Sequence, residues 1–350
     1  MKLRAAFAIP GDLTSLTGGY AYDREVLARA ASVGVDMRHI ALPEGFPFPS
    51  AQALEQTSAL LSAIPADEIL LCDGLAFGVL PEPVLKTIRA YIVALVHHPL
   101  ALETGLSAER MQALAQSERL ALSFAHRVIV TSVSTRDGLI ADYGVTPAHV
   151  AVALPGTARA PRAQGSGLQT AQLLCVGSVV PRKGYDVLVP ALDACRMFDW
   201  HLTIVGSLKR APDHTAALVA QIAASGLSDR ITLAGEVASD HLAQFYDRAD
   251  LFVMPSRYEG YGMVVGEAMV RGLPLVSTDG GALAETLPDG TALKVTAGDA
   301  QALGQALQSV LSDGTLRRQL ADASYAAGAR LPAWEEAVQI VAQVLAEAHS

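Results

Sequence analysis

The apolar run Leu251-Phe252-Val253-Met254 is followed by Pro255-Ser256-Arg257-Tyr258-Glu259-Gly260-Tyr261-Gly262-Met263-Val264-Val265-Gly266-Glu267, and this stretch decides how the chain is read. An unbroken apolar run closed by proline is what a strand buried on both faces requires. The segment after the loop has the character of a helix, so the stretch predicts strand, glycine loop and helix in succession. Gly260 and Gly262 let the backbone approach a ligand closely, and the helix start offers free N–H groups and the positive end of its dipole to a diphosphate. Glu259 and Glu267 bracket the loop, and Glu267 is placed to accept hydrogen bonds from ribose hydroxyls. The alternative is a plain capped helix in which Glu267 favours the first turn and the glycines only make a turn. The run GYGMVVG also approaches the dinucleotide fingerprint, but its last interval is one residue too long. A nicotinamide enzyme more often carries that loop after the first strand of its domain.

Outward from this loop, strand-like runs alternate with amphipathic helical stretches, the pattern of parallel sheets covered by helices on both faces. Before it lie Gln172 to Val176, His201 to Val205 and Ile231 to Ala234, and after it Leu275 to Ser277. These predict a C-terminal Rossmann-like domain over residues 168–330. Earlier runs at Ala5 to Ile9, Met37 to Ala41, Ile69 to Cys72, Ile92 to Val96, Arg127 to Thr131 and Val150 to Ala153 predict an N-terminal one over 1–160. From Pro155 to Thr170 the composition turns to Gly, Pro, Ala, Ser and Gln without apolar period, which reads as a hinge-like linker. After Leu331-Pro332 a last helix, Trp334 to Ala346, is expected to cross back to the first domain as the 331–350 segment. The expected class is α/β, two doubly wound domains facing across a cleft, with ligands at the carboxyl ends of both sheets.

Composition narrows the function. The chain has 350 residues, 51% hydrophobic and 17% charged, enough apolar surface for two cores and no sign of a long disordered tail. A net charge of -9 without any Lys/Arg cluster argues against nucleic acid as partner, and gives no support to peripheral contact with an anionic membrane. No apolar run approaches the ~20 residues of a membrane helix. The run from Lys2 to Pro10 resembles a signal peptide only superficially, because Pro10, Gly11 and Asp12 end it too early. Cys72, Cys175 and Cys195 lack metal-like spacing and read as core thiols of a cytoplasmic protein.

A second loop points to the same ligand. Val176-Gly177-Ser178-Val179-Val180-Pro181-Arg182-Lys183-Gly184 closes the strand-like run QLLCV with adjacent cations at the ligand edge. Arg182 offers a planar fork and Lys183 a compact charge, and together they could offset the charge on a departing diphosphate. A solvated basic turn is the plainer reading.

Together these loops make the C-terminal half resemble the family 4 glycosyltransferases of GT-B fold. The marks are VGSVVPRKGYDVL, the run from LAGEVASDHLAQFYDRADLFVMPSRYEGYG to GALAE, and the E-x7-E spacing of Glu259 and Glu267. The resemblance implies a retaining, metal-independent hexosyltransferase that moves a sugar from a nucleoside diphosphate sugar to a hydroxyl of a small molecule, glycan or glycolipid. It implies Glu259 beside the transferred sugar, Glu267 on the ribose, and Lys183 with a neighbouring arginine on the diphosphate. Gly260, Tyr261, Gly262 and Met263 would line the donor. Similar enzymes often carry Arg where this chain has Ser178, so Arg182 is the candidate to take over that role. The N-terminal half matches more loosely, through Gly18-Gly19-Tyr20 and His97-His98-Pro99. The glycine pair would bring backbone amides to the phosphates, and one of His97 and His98 would contact the donor sugar. An ordinary turn and a packed histidine are the plainer readings of those two places.

No D-x-D-like cluster stands at a strand end to hold a metal against a diphosphate, and no metal or cofactor is expected. Asp186, Asp250, Gly280-Gly281 and Glu285 read as turn and cap residues, and Arg110 and Arg119 as a solvated helix face. Glu103 is a candidate acceptor contact. A GT-B-like nucleotide-sugar epimerase and a non-catalytic nucleotide-sugar binding protein are the competing readings.

Overall fold

The computed structural model describes residues 3–349, so Met1, Lys2 and Ser350, with the Lys2 charge of the leading run, lie outside the described residues. The chain divides into two units, Met1–Gly156 with Pro332–Ser350, and Thr157–Leu331. Each is a parallel sheet flanked by helices. No helix among the described residues is long and apolar enough to cross a membrane.

In the first unit the strands are β1 Leu3–Pro10, β2 Val35–Leu42, β3 Ile69–Asp73, β4 Tyr91–Val96, β5 Arg127–Val130 and β6 Val150–Val152. They pair in the order β2-β1-β3-β4-β5-β6, all parallel. Every residue of β3 is buried, as is β4 after Tyr91, because helices cover both faces and leave no side for polar residues. The strand order reverses between β1 and β3, which makes the loops after those strands the crevice of this sheet. The last helix, Trp334–His349, belongs to this unit and buries Ala337, Val338, Val341 and Leu345. Its first residue meets Tyr22 edge to face, with ring centroids 5.6 Å apart.

In the second unit the strands are β7 Ala171–Val176, β8 Trp200–Val205, β9 Ile231–Gly235, β10 Leu251–Met254, β11 Leu275–Thr278 and β12 Ala292–Val295. Their order is β12-β11-β10-β7-β8-β9, again parallel, so the switch point lies between β7 and β10. Those are the strands that precede the two loops singled out above. Separate apolar clusters cover the two faces of this sheet. The reading above missed β12, a short edge strand with Lys294 in it and only Ala292 buried, which has no apolar run to mark it.

The 155–170 segment is not a free tether. It carries neither helix nor strand, yet from Thr157 onward it belongs to the second unit. The Ala163 N–H donates to Arg271 O at 2.8 Å, Arg159 Nη1 donates to Gly328 O at 2.8 Å, and Arg162 pairs with Asp322. Asp250 accepts from the Ser166 N–H and hydroxyl at 2.9 and 2.6 Å and from the Gln172 N–H at 2.8 Å. Polar composition suggested flexibility because sequence does not reveal that these groups have partners. Asp250 is thereby more than a turn residue.

The three cysteines are free and buried, and burial pushes their thiols up, Cys195 to about 11.

Candidate active site

The two loops at the switch point of the second unit are bound to each other backbone to backbone. Pro181–Lys183 forms a single 3-10 turn after β7, and the Arg257 N–H donates to Arg182 O at 2.8 Å. Gly184 follows at φ 66°, where a Cβ would stand 2.1 Å from Pro255 O, so only glycine permits this approach. Arg257 then reaches across with both Nη atoms to Asp186, at 2.7 and 2.6 Å, and holds that carboxyl below the usual range. Sequence reasoning passed over Arg257 and took Asp186 for a cap, because two residues in separate loops do not announce a pair.

That frame delivers three charged side chains to one point. Lys183 Nζ lies 2.8 Å from Glu259 Oε1, and Arg182 Nη1 lies 3.1 Å from Glu259 Oε2. A Cβ at Gly177 would stand 2.8 Å from Lys183 Cε, so the bare glycine makes room for the lysine stem. Arg182 Nη1 also donates to Tyr258 O at 2.8 Å, and the Ser256 hydroxyl donates to Glu259 Oε1 at 2.6 Å. Glu259 is 6% exposed. Burial alone would raise its pKa, but Lys183 and Arg182 outweigh it and bring the carboxyl down to about 2. Glu259 is therefore an anion at any physiological pH. Arg182 and Lys183, brought together as the adjacent cations suggested, face a carboxylate in this structure.

Gly262, at φ 88°, starts the helix Met263–Val270, and a Cβ there would meet Leu283 Cδ2 at 2.7 Å. Gly260 lies between Glu259 and Tyr261, and the buried Tyr261 accepts at its carbonyl from Thr286 Oγ1 at 2.7 Å. Met263 is half-buried at the first position of the helix. Glu267 sits in the second turn, which removes it from the capping role given in the plainer reading. The Tyr246 hydroxyl donates to its Oε2 at 2.8 Å. Burial raises the Glu267 pKa, opposed by that hydrogen bond and by the nearby Arg271 charge. Glu259 in the loop and Glu267 in the helix after it thus have different partners: one is paired with cations, the other accepts from a phenol. Ser178 is half-buried directly after Gly177, and its carbonyl accepts from the Val180 N–H at 3.0 Å. Gly280 and Gly281 are structural: Glu259 bridges to Gly281, and a Cβ on Gly280 would strike Arg257 O at 2.4 Å.

In the first unit Gly18 and Gly19 open the helix Gly18–Arg29, capped by Thr17. His97 and His98 follow β4 with separate partners. His98 Nε2 lies 3.7 Å from Glu103 Oε2. His97 Nε2 lies 3.2 Å from Asp23 Oδ1 and 3.4 Å from Asp73 Oδ2, and a Cβ at Gly19 would touch His97 Cδ2 at 3.2 Å. Neither aspartate was anticipated, although Asp73 closes β3 at the sheet's ligand edge and Asp23 stands one helical turn after Gly19. Among the described residues Asp23, Asp73 and His97 are the group whose ligand-type atoms all lie within 4.8 Å of one another. Both carboxylates face the same ring nitrogen, Nε2. Arg110 lies over the Phe48 ring and Arg119 donates to Asp142 O at 2.6 Å.

Comparison with known proteins addresses the domain and the fold. Residues 170–313 match the family model described as glycosyl transferases group 1. The lipopolysaccharide core biosynthesis mannosyltransferase LpsB of Rhizobium meliloti is 36% identical over 159 residues, which is 43% of this chain and 43% of LpsB. The chain thus spans less than half the length of that relative. Among solved structures, sucrose-phosphate synthase from Thermosynechococcus elongatus superposes with a TM-score of 0.84 at 21% identity, covering 99% of this chain and 98% of that one. HepE of Anabaena, solved in complex with UDP and glucose, gives 0.76 at 18% identity, covering 98% and 99%. These likenesses establish the GT-B type of fold, two parallel α/β sheets of six strands each. Residues 170–313 are therefore a group 1 glycosyl transferase domain, carried in a chain of GT-B fold.

Proposed function

We propose that the chain is a retaining glycosyltransferase that moves a hexosyl group from a nucleoside diphosphate sugar to an acceptor hydroxyl without a metal. The observation that carries this reading is the meeting of Lys183, Arg182 and Glu259 at the switch point of a domain matched to glycosyl transferases. Cleavage of a sugar–phosphate bond puts positive charge on the anomeric carbon and negative charge on the leaving diphosphate, and a catalyst must meet both. Two cations held in a frame of backbone hydrogen bonds suit the second task. The donor diphosphate joins Glu259 on them, using the N–H donors that the carboxylate leaves over. Glu259, ionised down to about pH 2, cannot protonate a leaving group. It serves as a fixed anion that orients sugar hydroxyls and favours charge on the anomeric carbon. Glu267 accepts from the ribose hydroxyls, and Gly260, Tyr261, Gly262 and Met263 bring backbone to the phosphates.

In the step itself the bond between the anomeric carbon and the phosphate oxygen breaks and the bond to the acceptor oxygen forms on the same face. The acceptor proton passes to the leaving phosphate oxygen, which balances the step with no enzymic nucleophile. The acceptor class is a small molecule, glycan or glycolipid, and the setting cytoplasmic. Metal independence is supported by the charges of Lys183 and Arg182, two cations that could offset a diphosphate without a divalent ion.

The test is incubation with a panel of nucleoside diphosphate sugars and hydroxyl acceptors in a chelator, following nucleoside diphosphate release and the anomeric proton of the product. Transfer with retained configuration is expected. An inverted product, or activity abolished by chelation and restored by magnesium, contradicts the proposal. An epimerised donor in the absence of acceptor would assign an isomerase, and tight binding with no transfer a sensor.

A further inference from the structure

His97 is bound in a way its neighbours in sequence do not explain. Its Nε2 edge faces two carboxylates, Asp23 on the helix Gly18–Arg29 at 3.2 Å and Asp73 at the end of β3 at 3.4 Å. Asp23 is fully buried, and its Oδ2 finds no donor. Asp73 is engaged elsewhere as well, its Oδ1 accepting from the Leu75 N–H at 2.6 Å. Such a buried, unsatisfied carboxylate costs stability, of order 1 to 3 kcal/mol, and a group kept at that cost acts through something it holds. What Asp23 holds is His97. Tyr22 locks the ring from the side, edge to face at 5.4 Å, and Gly19 leaves room for the Cδ2 edge. The Thr131 hydroxyl fastens the His97 carbonyl at 3.1 Å. The Nε2 and Cδ2 edge is thus enclosed, Nδ1 is the ring nitrogen these contacts leave over, and the side chain keeps 21% of its exposure.

Two acceptors on one ring nitrogen require that nitrogen to carry a proton, and two nearby negative groups favour a second proton on Nδ1. We propose that Asp23, together with Asp73, is a positioning residue that holds His97 as a permanent cation, so that its Nδ1–H donates to an oxygen of the bound substrate and the ring never acts as a general base. The role for a substrate oxygen rests on the transferase reading above, but the state of the ring does not. The groups that face it are few. From the first helix come Asp23 and the Tyr22 ring, from β3 Asp73 with the buried Cys72 thiol behind it, and from the residue after β5 the Thr131 hydroxyl. Burial lowers the pKa of His97, yet Asp23 and Asp73 outweigh it and carry the ring up to about 10. Burial, with the Asp73 carboxyl beside it, also raises the pKa of Asp23, to about 7.

The experiment is a pH titration of the whole protein by nitrogen-15 NMR of its histidine side chains, with His97→Gln to assign the signal. It needs neither donor nor acceptor. His97 is expected to show imidazolium shifts through pH ~9, to titrate ~1 to 2 units lower in Asp23→Asn, and to fall lower still in Asp23→Asn/Asp73→Asn. The variants are isosteric, and thermal melting verifies that they fold; Asp73→Asn alone supplies the same comparison where Asp23→Asn does not. A ring that titrates between pH 6 and 8 in the unaltered protein, or an unchanged pKa in Asp23→Asn, overturns the proposal. So does zinc that shifts the His97 resonances at micromolar concentration, which would make the cluster a metal site. In the transfer assay kcat/KM of the unaltered protein should be level on the alkaline side to pH ~9, whereas Asp23→Asn should lose activity as pH rises through its lowered ring pKa. A lowered pKa with no alkaline loss overturns the catalytic half. Absence of any transfer sinks the transferase reading and leaves the NMR result to decide on the ring.

Discussion

Glu259→Gln removes one negative charge from the centre of the candidate site while keeping its shape. In the folded protein the carboxyl is held from an ordinary 4.5 down to about 2, a gap worth roughly 3 kcal/mol in favour of the ionised folded form at neutral pH. Glutamine forfeits that and leaves Lys183 and Arg182 beside each other with no counter-charge, a situation that costs about 3 to 5 kcal/mol where buried pairs have been broken. The expected loss at pH 7 is therefore about 3 kcal/mol, read as a fall of about 6 to 12 °C in the melting of the second unit. The sign of the pH dependence is set by a depressed carboxyl. Its contribution is complete above the unfolded pKa near 4.5 and is lost as pH falls toward about 2, so the variant and the unaltered protein converge on acidification. Urea unfolding at pH 7, 5 and 4 measures this. Inorganic pyrophosphate should stabilise Glu259→Gln more than the unaltered protein, because it replaces the missing charge. Equal stability at pH 7, or a gap that does not shrink with acid, refutes the reasoning.

Two further substitutions address the frame around the site. Arg257→Lys loses the two-pronged contact with Asp186 and should weaken donor binding about tenfold while costing about 1 kcal/mol of stability or less, compared by calorimetry and urea unfolding; unchanged donor affinity contradicts a role for that pair in setting the loops. Asp250→Ala deprives the Ser166 and Gln172 N–H groups of their acceptor, should cost about 1 to 3 kcal/mol, and should open the 157–170 segment to proteolysis; a protease pattern identical to that of the unaltered chain contradicts the stitching.

What was legible in the sequence follows from which interactions are local. Apolar-rich runs marked eleven of the twelve strands among the described residues, most clearly β3, β4 after Tyr91 and β10, whose apolar residues are buried, and β12 escaped because an edge strand with Lys294 in it carries no such run. The loops after β7 and β10 were legible because strand ends, glycines and charges are adjacent in sequence, and so were the cations Arg182 and Lys183. The pairing of those cations with Glu259, the Arg257 to Asp186 clasp, and the enclosure of His97 by Asp23 and Asp73 were not. Each joins residues more than twenty positions apart, and no periodicity records it. The segment 157–170 was misread for the same reason: its partners Asp250, Arg271 and Gly328 lie far along the chain.

Calorimetric titration of nucleoside diphosphate sugars into the unaltered protein, Lys183→Ala and Glu267→Gln bears most directly on the account. It predicts saturable binding of at least one donor with no added metal, a loss of about a hundredfold or more in Lys183→Ala, and a smaller loss in Glu267→Gln that is also seen with the nucleoside diphosphate alone. Donor binding that survives Lys183→Ala unchanged, or no binding across the panel, contradicts it.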